Sequence, residues 1–137
     1  MIGLDTNVLV RYLAQDDPVQ SASATDFIDG RLSEQEPGFV SVVTMAETAW
    51  VLRRTYGLSD ADVAAVIERT LQSDVLIVQH EQEVFTAMVA LKDRRGSFAD
   101  ALIGALGASA GCSVTVTFDR GALRLPEFEP LRRGGSP

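Results

Sequence analysis

Hydrophobic positions along this 137-residue chain fall into two alternating patterns: short continuous apolar runs, and longer stretches in which apolar residues return every three or four positions. The first pattern predicts strands and the second amphipathic helices. Met1-Ile2-Gly3-Leu4 is apolar and too short for a helix, so it reads as a first strand. Asp5-Thr6-Asn7 is a cap triplet, and residues 8–13 continue from it as a helix. Asp16-Asp17-Pro18 stops that element and starts another, with Ala22, Ala24, Phe27 and Ile28 as its apolar face before Gly30. A polar turn over residues 33–38 leads into Phe39-Val40-Ser41-Val42-Val43, the second predicted strand. Thr44 is expected to open a helix with Met45, Ala49, Leu52 and Tyr56 on one face, closed by Gly57.

Ser59-Asp60-Ala61-Asp62 resembles a capping box, and Val63, Val66, Ile67 and Leu71 follow at helical spacing, so the two helices are expected to form a hairpin. Val75-Leu76-Ile77-Val78 is a continuous apolar run, as expected for a strand covered on both faces. A helix with Phe85, Met88, Val89 and Leu91 ends near Arg94-Arg95-Gly96. Ser97 caps the next, residues 98–110, whose Gly104, Gly107 and Ala108 form a small-residue surface suited to close packing. Ser113-Val114-Thr115-Val116-Thr117 is the fourth strand, and residues 128–131 suggest a fifth. Strands alternating with helices predict a parallel sheet flanked by helices. The organisation read from this is one domain over residues 1–131 with a frayed tail over residues 132–137.

Composition narrows the class. With 46% hydrophobic and 23% charged residues the chain is that of an ordinary globular protein. Cys112 is the one cysteine, so no internal disulfide forms; it reads as a small buried or half-buried filler in a protein of a reducing compartment. Asp5 interrupts the first apolar run too early for a signal peptide, and no run approaches the ~20 residues of a membrane span, so a cytoplasmic location is expected. The formal net charge of -7 argues against gripping nucleic acid by bulk electrostatics. Nearly all the positive charge is arginine, however, and much of it comes in pairs: Arg53-Arg54, Arg94-Arg95 and Arg132-Arg133. Such pairs serve either as solvated helix ends or as bidentate phosphate contacts.

Four acids stand at the joints of the pattern: Asp5 after the first strand, Glu47 in the turn after the second, Asp100 at the helix before the fourth, and Asp119 just after it. Each has a local explanation as a cap or turn residue. Together they fall where strand ends and helix starts gather along one edge of a parallel sheet, the edge at which ligands bind in open α/β folds. Thr117, two residues before Asp119, would place a hydroxyl beside that carboxylate if the strand continued that far. Two carboxylates ~6 Å apart at an effective dielectric of ~20 repel by roughly 3 kcal/mol, so such a cluster calls for a counter-cation. Oxygen donors without a Cys or His cluster select Mg2+ or Mn2+ rather than zinc. An ion held with an open face is equipped for phosphodiester hydrolysis, and it would offset the acidic surface against RNA.

The stretches Leu4-Asp5-Thr6-Asn7-Val8-Leu9, Glu47-Thr48-Ala49-Trp50-Val51-Leu52, Phe98-Ala99-Asp100-Ala101-Leu102-Ile103 and Thr117-Phe118-Asp119 resemble, in order and spacing, the PIN domain, most closely the VapC-type toxins of bacterial toxin-antitoxin pairs. The resemblance implies a three-layer α/β/α sandwich with a central, mainly parallel sheet. It implies a Mg2+- or Mn2+-dependent endoribonuclease whose catalytic and metal-holding acids are Asp5, Glu47, Asp100 and Asp119, supported by Asn7 and Thr117. It also implies a homodimer and a cognate antitoxin able to place a basic side chain among the acids. Ser97 is a departure, since many relatives carry an acid at that position, and it bears on a second metal site.

Two other readings start from the same residues. Asp5-Thr6-Asn7-Val8 is one residue from the nucleophile motif of haloacid-dehalogenase-type phosphatases, in which Asp5 would form an aspartyl phosphate; Asn7 replaces the second acid, and Lys92, the only lysine, is poorly placed for the basic role. A catalytically inactive interaction module, whose acids receive a partner's arginines, is the non-enzyme reading. His80, before a helix and outside all four motifs, reads as part of a solvated cap region rather than as a general acid. Trp50 and Phe98, at helical spacing, read as core or dimer-face residues rather than base-stacking platforms, and Met45 and Met88 as packing.

Overall fold

A computed structural model describes residues 1–132. The predicted tail lies almost wholly outside the described residues, as does Arg133. The elements in chain order are β1 (Ile2–Gly3), α1 (Thr6–Ala14), α2 (Pro18–Thr25), β2 (Gly38–Val40), α3 (Val42–Arg54), α4 (Asp60–Leu71), β3 (Leu76–Val78), α5 (Glu81–Lys92), α6 (Phe98–Ser109), β4 (Thr115–Thr117) and β5 (Phe128–Pro130). A π-helical turn, Asp26–Arg31, extends α2, and a 3-10 turn, Ala122–Arg124, precedes β5. All strand pairs among the described residues are parallel, so the protein is mixed α/β with a parallel sheet, consistent with the three-layer α/β/α class.

The chain divides into two compact units, Met1–Glu81 and the part from Gln82 onward. In the first, the sheet order is β1-β2-β3. Main-chain bonds from Ile2 N to Pro37 O and from Leu4 N to Phe39 O, both 2.9 Å, set the β1–β2 register. Gly38 N to Val75 O and Gln79 N to Val40 O, both 2.8 Å, set β2 on β3. Gly38 is glycine for want of room: a Cβ there would stand 2.9 Å from Leu32 Cδ1 and 3.0 Å from Leu76 Cδ2. Leu4, Val40, Leu76 and Val78 are buried while Ile77 is half exposed, so β3 is apolar along its length without being covered on both faces. α3 and α4 pack as the predicted hairpin, closed by Gly57 at φ +67 and by the Arg53–Asp60 ion pair at 3.0 Å.

In the second unit β4 and β5 form a two-stranded ladder with Thr115 opposite Phe128. Gly104 and Gly107 supply the small surface expected of α6: a Cβ would stand 2.9 Å from Phe128 Cε2 at the first and 2.8 Å from Thr115 Oγ1 at the second. Phe98, Met88, Ala101, Leu102 and Leu125 are buried there.

Several boundaries move for local reasons. The second strand stops at Val40 because Ser41, not Thr44, caps α3, its Oγ accepting from Thr44 N at 3.1 Å; Val42 and Val43 are the first helical residues. The buried register of α2 is Ser21, Ala24 and Ile28, which leaves Ala22 exposed. Cys112 is exposed rather than a filler, because it follows the left-handed Gly111 in the turn after α6.

Candidate active site

β1 ends at Gly3, buried Leu4 follows, and Asp5 in extended conformation is the N-cap of α1. Its Oδ1 accepts from the backbone N–H of Thr6 at 2.8 Å. The Thr6 hydroxyl donates in turn to Glu47 Oε1 at 2.7 Å, 41 residues further along the chain. One residue thus holds two carboxylates, with its main chain for the first and its side chain for the second. Two like charges so placed repel, and each donor offsets part of that cost.

Glu47 does not occupy the first turn of its helix. With Ser41 as the cap it falls in the second turn of α3, away from the positive end that the sequence pattern suggested, and Thr6 is its hydrogen-bond donor instead. Asn7 is exposed and its side chain makes no hydrogen bond among the described residues; it lines a cavity of about 530 Å3 with Ile2, Leu4, Val8 and Phe27. The hydrogen bond that Asp5 accepts comes from Thr6. The signal for Thr6 lay in the cap triplet, but its partner on α3 could not be read from local spacing.

In the second unit, Asp100 is the third residue of α6, and its backbone N–H donates to the Ser97 cap at 3.1 Å. That is one half of the predicted capping box. Asp119 lies in the turn after β4: its Oδ1 accepts from Gly121 N at 2.8 Å, and its own N–H donates to Thr117 Oγ1 at 3.0 Å. The strand ends at Thr117, so the alternation that would have set hydroxyl beside carboxylate stops; the Thr117 hydroxyl holds the main chain of Asp119 instead.

Within neither unit, among the described residues, do three His, Cys, Asp or Glu side chains gather into a group that could hold a metal ion. The donor chemistry nonetheless fits a hard divalent cation. Asp5, Glu47, Asp100 and Asp119 each keep at least one carboxylate oxygen that accepts no hydrogen bond among the described residues, and all are oxygen donors.

Other residues resolve plainly. Phe98, Met45 and Met88 are buried, as expected of packing residues. Trp50 is 62% exposed, so it is no core residue: it lies on the face of α3 opposite buried Met45, Ala49 and Leu52. Arg53 is engaged with Asp60 and the Leu58 carbonyl, and Arg95 with Asp93, so one member of each of these two pairs serves its own helix end. His80 is exposed, with a left-handed φ of 50.

A mixed α/β fold with parallel strands, and a strand-end carboxylate, Asp5, joined through Thr6 to Glu47 on a second helix, define a class of small α/β proteins with an acidic strand-end site. The chain belongs to the PIN domain family, which matches residues 2–127 and so spans all four acids. No curated protein and no solved structure matches it. PIN domains are generally metal-dependent nucleases, and the match leaves the haloacid-dehalogenase-type reading without support. Among the described residues no helix is long and apolar enough to cross a membrane.

Proposed function

We propose that this protein is a VapC-type toxin: a Mg2+- or Mn2+-dependent endoribonuclease, cytoplasmic and homodimeric, held in check by a cognate antitoxin, with a single PIN domain over residues 1–131. The observation that carries the reading is the Asp5–Thr6–Glu47 arrangement, in which two acids from separate motifs of the family are tied to one threonine. The family match across residues 2–127 supports adding Asp100 and Asp119 to the set.

Asp5, Glu47, Asp100 and Asp119 would hold the ion. When bound, such an ion supplies a water of lowered pKa and stabilises the charge that develops on the leaving oxygen. The chain's own part is orientation. Asp5 is fixed by the start of α1, Glu47 by the Thr6 hydroxyl, Asp100 by its place in the first turn of α6, and Asp119 by the Gly121 N–H. The same acids would receive the basic side chain of an antitoxin, which explains inhibition by occupation of the site.

Cleavage of single-stranded RNA by the purified protein in Mg2+ or Mn2+ tests this. Asp5→Asn, Glu47→Gln and Asp100→Asn are each expected to lower the rate by roughly 100-fold or more, at least the upper range seen for groups that support a metal, with unchanged circular dichroism. Wild-type protein that leaves RNA intact in both metals would overturn the assignment.

A further inference from the structure

The outward face of α3 carries a stripe of exposed residues at helical spacing: Val43, Glu47, Trp50 and Arg54. Successive members are three or four residues apart, so they stand about 4.5 to 6 Å apart along the axis at 1.5 Å per residue. The inward face is Thr44, Met45, Thr48, Ala49 and Leu52, all buried. Packing the core therefore does not require an aromatic at position 50, and a Trp left 62% exposed leaves most of its apolar ring in water. Arg54 differs from its neighbour in the same way. Arg53 is spent on Asp60 and the Leu58 carbonyl, whereas the Arg54 side chain makes no hydrogen bond or ion pair among the described residues.

We infer that this stripe is the path of a single RNA strand: a base stacks on Trp50, the adjacent phosphate is taken by Arg54, and the strand is thereby laid beside Glu47. The inference rests on the nuclease reading above and adds to it the residues that position the substrate. An aromatic platform and an uncommitted guanidinium on consecutive turns complement a base and its neighbouring phosphate, with Glu47 on the turn before them. The centre of a protein-protein interface is depleted in charge, and Glu47 and Arg54 flank Trp50 on both sides. Stacking needs an unpaired base, so the occupant is single-stranded rather than duplex RNA.

Trp50 is the only tryptophan, so its fluorescence reports on this face directly. The full chain, titrated with a single-stranded RNA oligonucleotide in Ca2+ or EDTA to prevent cleavage, should show saturable quenching. Arg54→Gln should weaken that binding and reduce its log-log salt dependence by about 0.7, the loss of one phosphate contact to a single strand. Trp50→Ala should raise KM by roughly 5- to 150-fold, the range for loss of one stacked base, with a smaller change in kcat. Trp50→Phe should restore most of the loss and Trp50→Leu should not, since leucine keeps apolar bulk, which would serve a merely structural role, and lacks the face on which a base stacks.

Wild-type cleavage of RNA without quenching, together with an unchanged KM for Trp50→Ala, overturns the inference and leaves the nuclease assignment intact. Quenching without cleavage in Mg2+ or Mn2+ overturns the nuclease assignment and keeps the RNA path. A tryptophan shielded before RNA is added, with sedimentation showing a dimer, assigns the face to a second copy and also overturns the inference.

Discussion

Thr6 performs two tasks with two different groups. Its N–H serves Asp5 because residue 6 is the first residue of α1, and its hydroxyl serves Glu47 because α3 passes beside that helix start. Thr6→Val keeps the size and β-branching of the side chain and removes only the second bond. An exposed hydrogen bond contributes about 1 kcal/mol or less to stability, so the melting temperature should change little. Loss of an orienting partner should cost 10- to 100-fold in metal affinity or rate, read in Mn2+ titrations of RNA cleavage, and Thr6→Ser should recover most of it. Equal activity for Thr6→Val and wild type would show that Glu47 needs no support. Trp50 makes a complementary point at this scale: the spacing that gathers Met45, Ala49 and Leu52 on one face of α3 leaves position 50 off it, and in the structure Trp50 is exposed.

The elements were legible where they are specified by neighbours in the chain. Asp17, Ser59 and Ser97 cap α2, α4 and α6, since capping couples residues only two or three apart. The start of α3 was displaced because Ser41 and Thr44 are both competent caps, and Phe39-Val40-Ser41-Val42-Val43 satisfies strand propensity throughout; pairing with β3 ends at Val40 and the helix takes the rest. α6 yields a prediction of its own. Gly104→Ala gains up to about 1 kcal/mol in helix propensity, yet its Cβ meets Phe128 Cε2 at 2.9 Å and Glu127 Cβ at 3.0 Å. Overpacking of that kind costs about 1–3 kcal/mol, so the variant should be destabilised on balance. Urea denaturation checks the sign: a midpoint at or above wild type would mean that β5 yields freely.

For the whole molecule, one polar network makes stability depend on pH. Tyr56, just beyond α3, donates to Asp16 Oδ2 at 2.7 Å, and Arg11 of α1 lies 3.2 Å from the same oxygen. The Tyr56 hydrogen bond, and then the Arg11 charge, hold the Asp16 carboxyl below its ordinary value. That contribution is complete above the usual aspartate value of about 3.9 and is lost as pH falls below it. The same bond to Asp16 raises the Tyr56 phenol above its ordinary value. Stability from the neutral phenol is complete below about pH 10 and is lost as pH rises past it. Tyr56→Phe should therefore flatten both the acid and the alkaline limb of melting temperature against pH. An unaltered profile would assign the limbs to other groups.

Metal should stabilise the folded chain by mass action, by about 1.4 kcal/mol at tenfold excess over its dissociation constant. Calorimetry in millimolar Mn2+ should show the rise in wild type and a smaller one in Asp5→Asn and in Asp100→Asn. An identical rise in all three would place the ion elsewhere.

What the sequence determined alone is the order of strands and helices, the caps of α2, α4 and α6, and the family, because each depends on short spacings or on motifs in linear order. The tertiary structure alone decided that Thr6 joins Asp5 to Glu47, that Trp50 stands exposed rather than in the core, that Phe128 closes on Gly104, and that the Arg53 side chain is spent while that of Arg54 is not. Those outcomes depend on which surfaces meet after the chain has turned back on itself. Hydrogen-bond partners 41 residues apart leave no periodic trace.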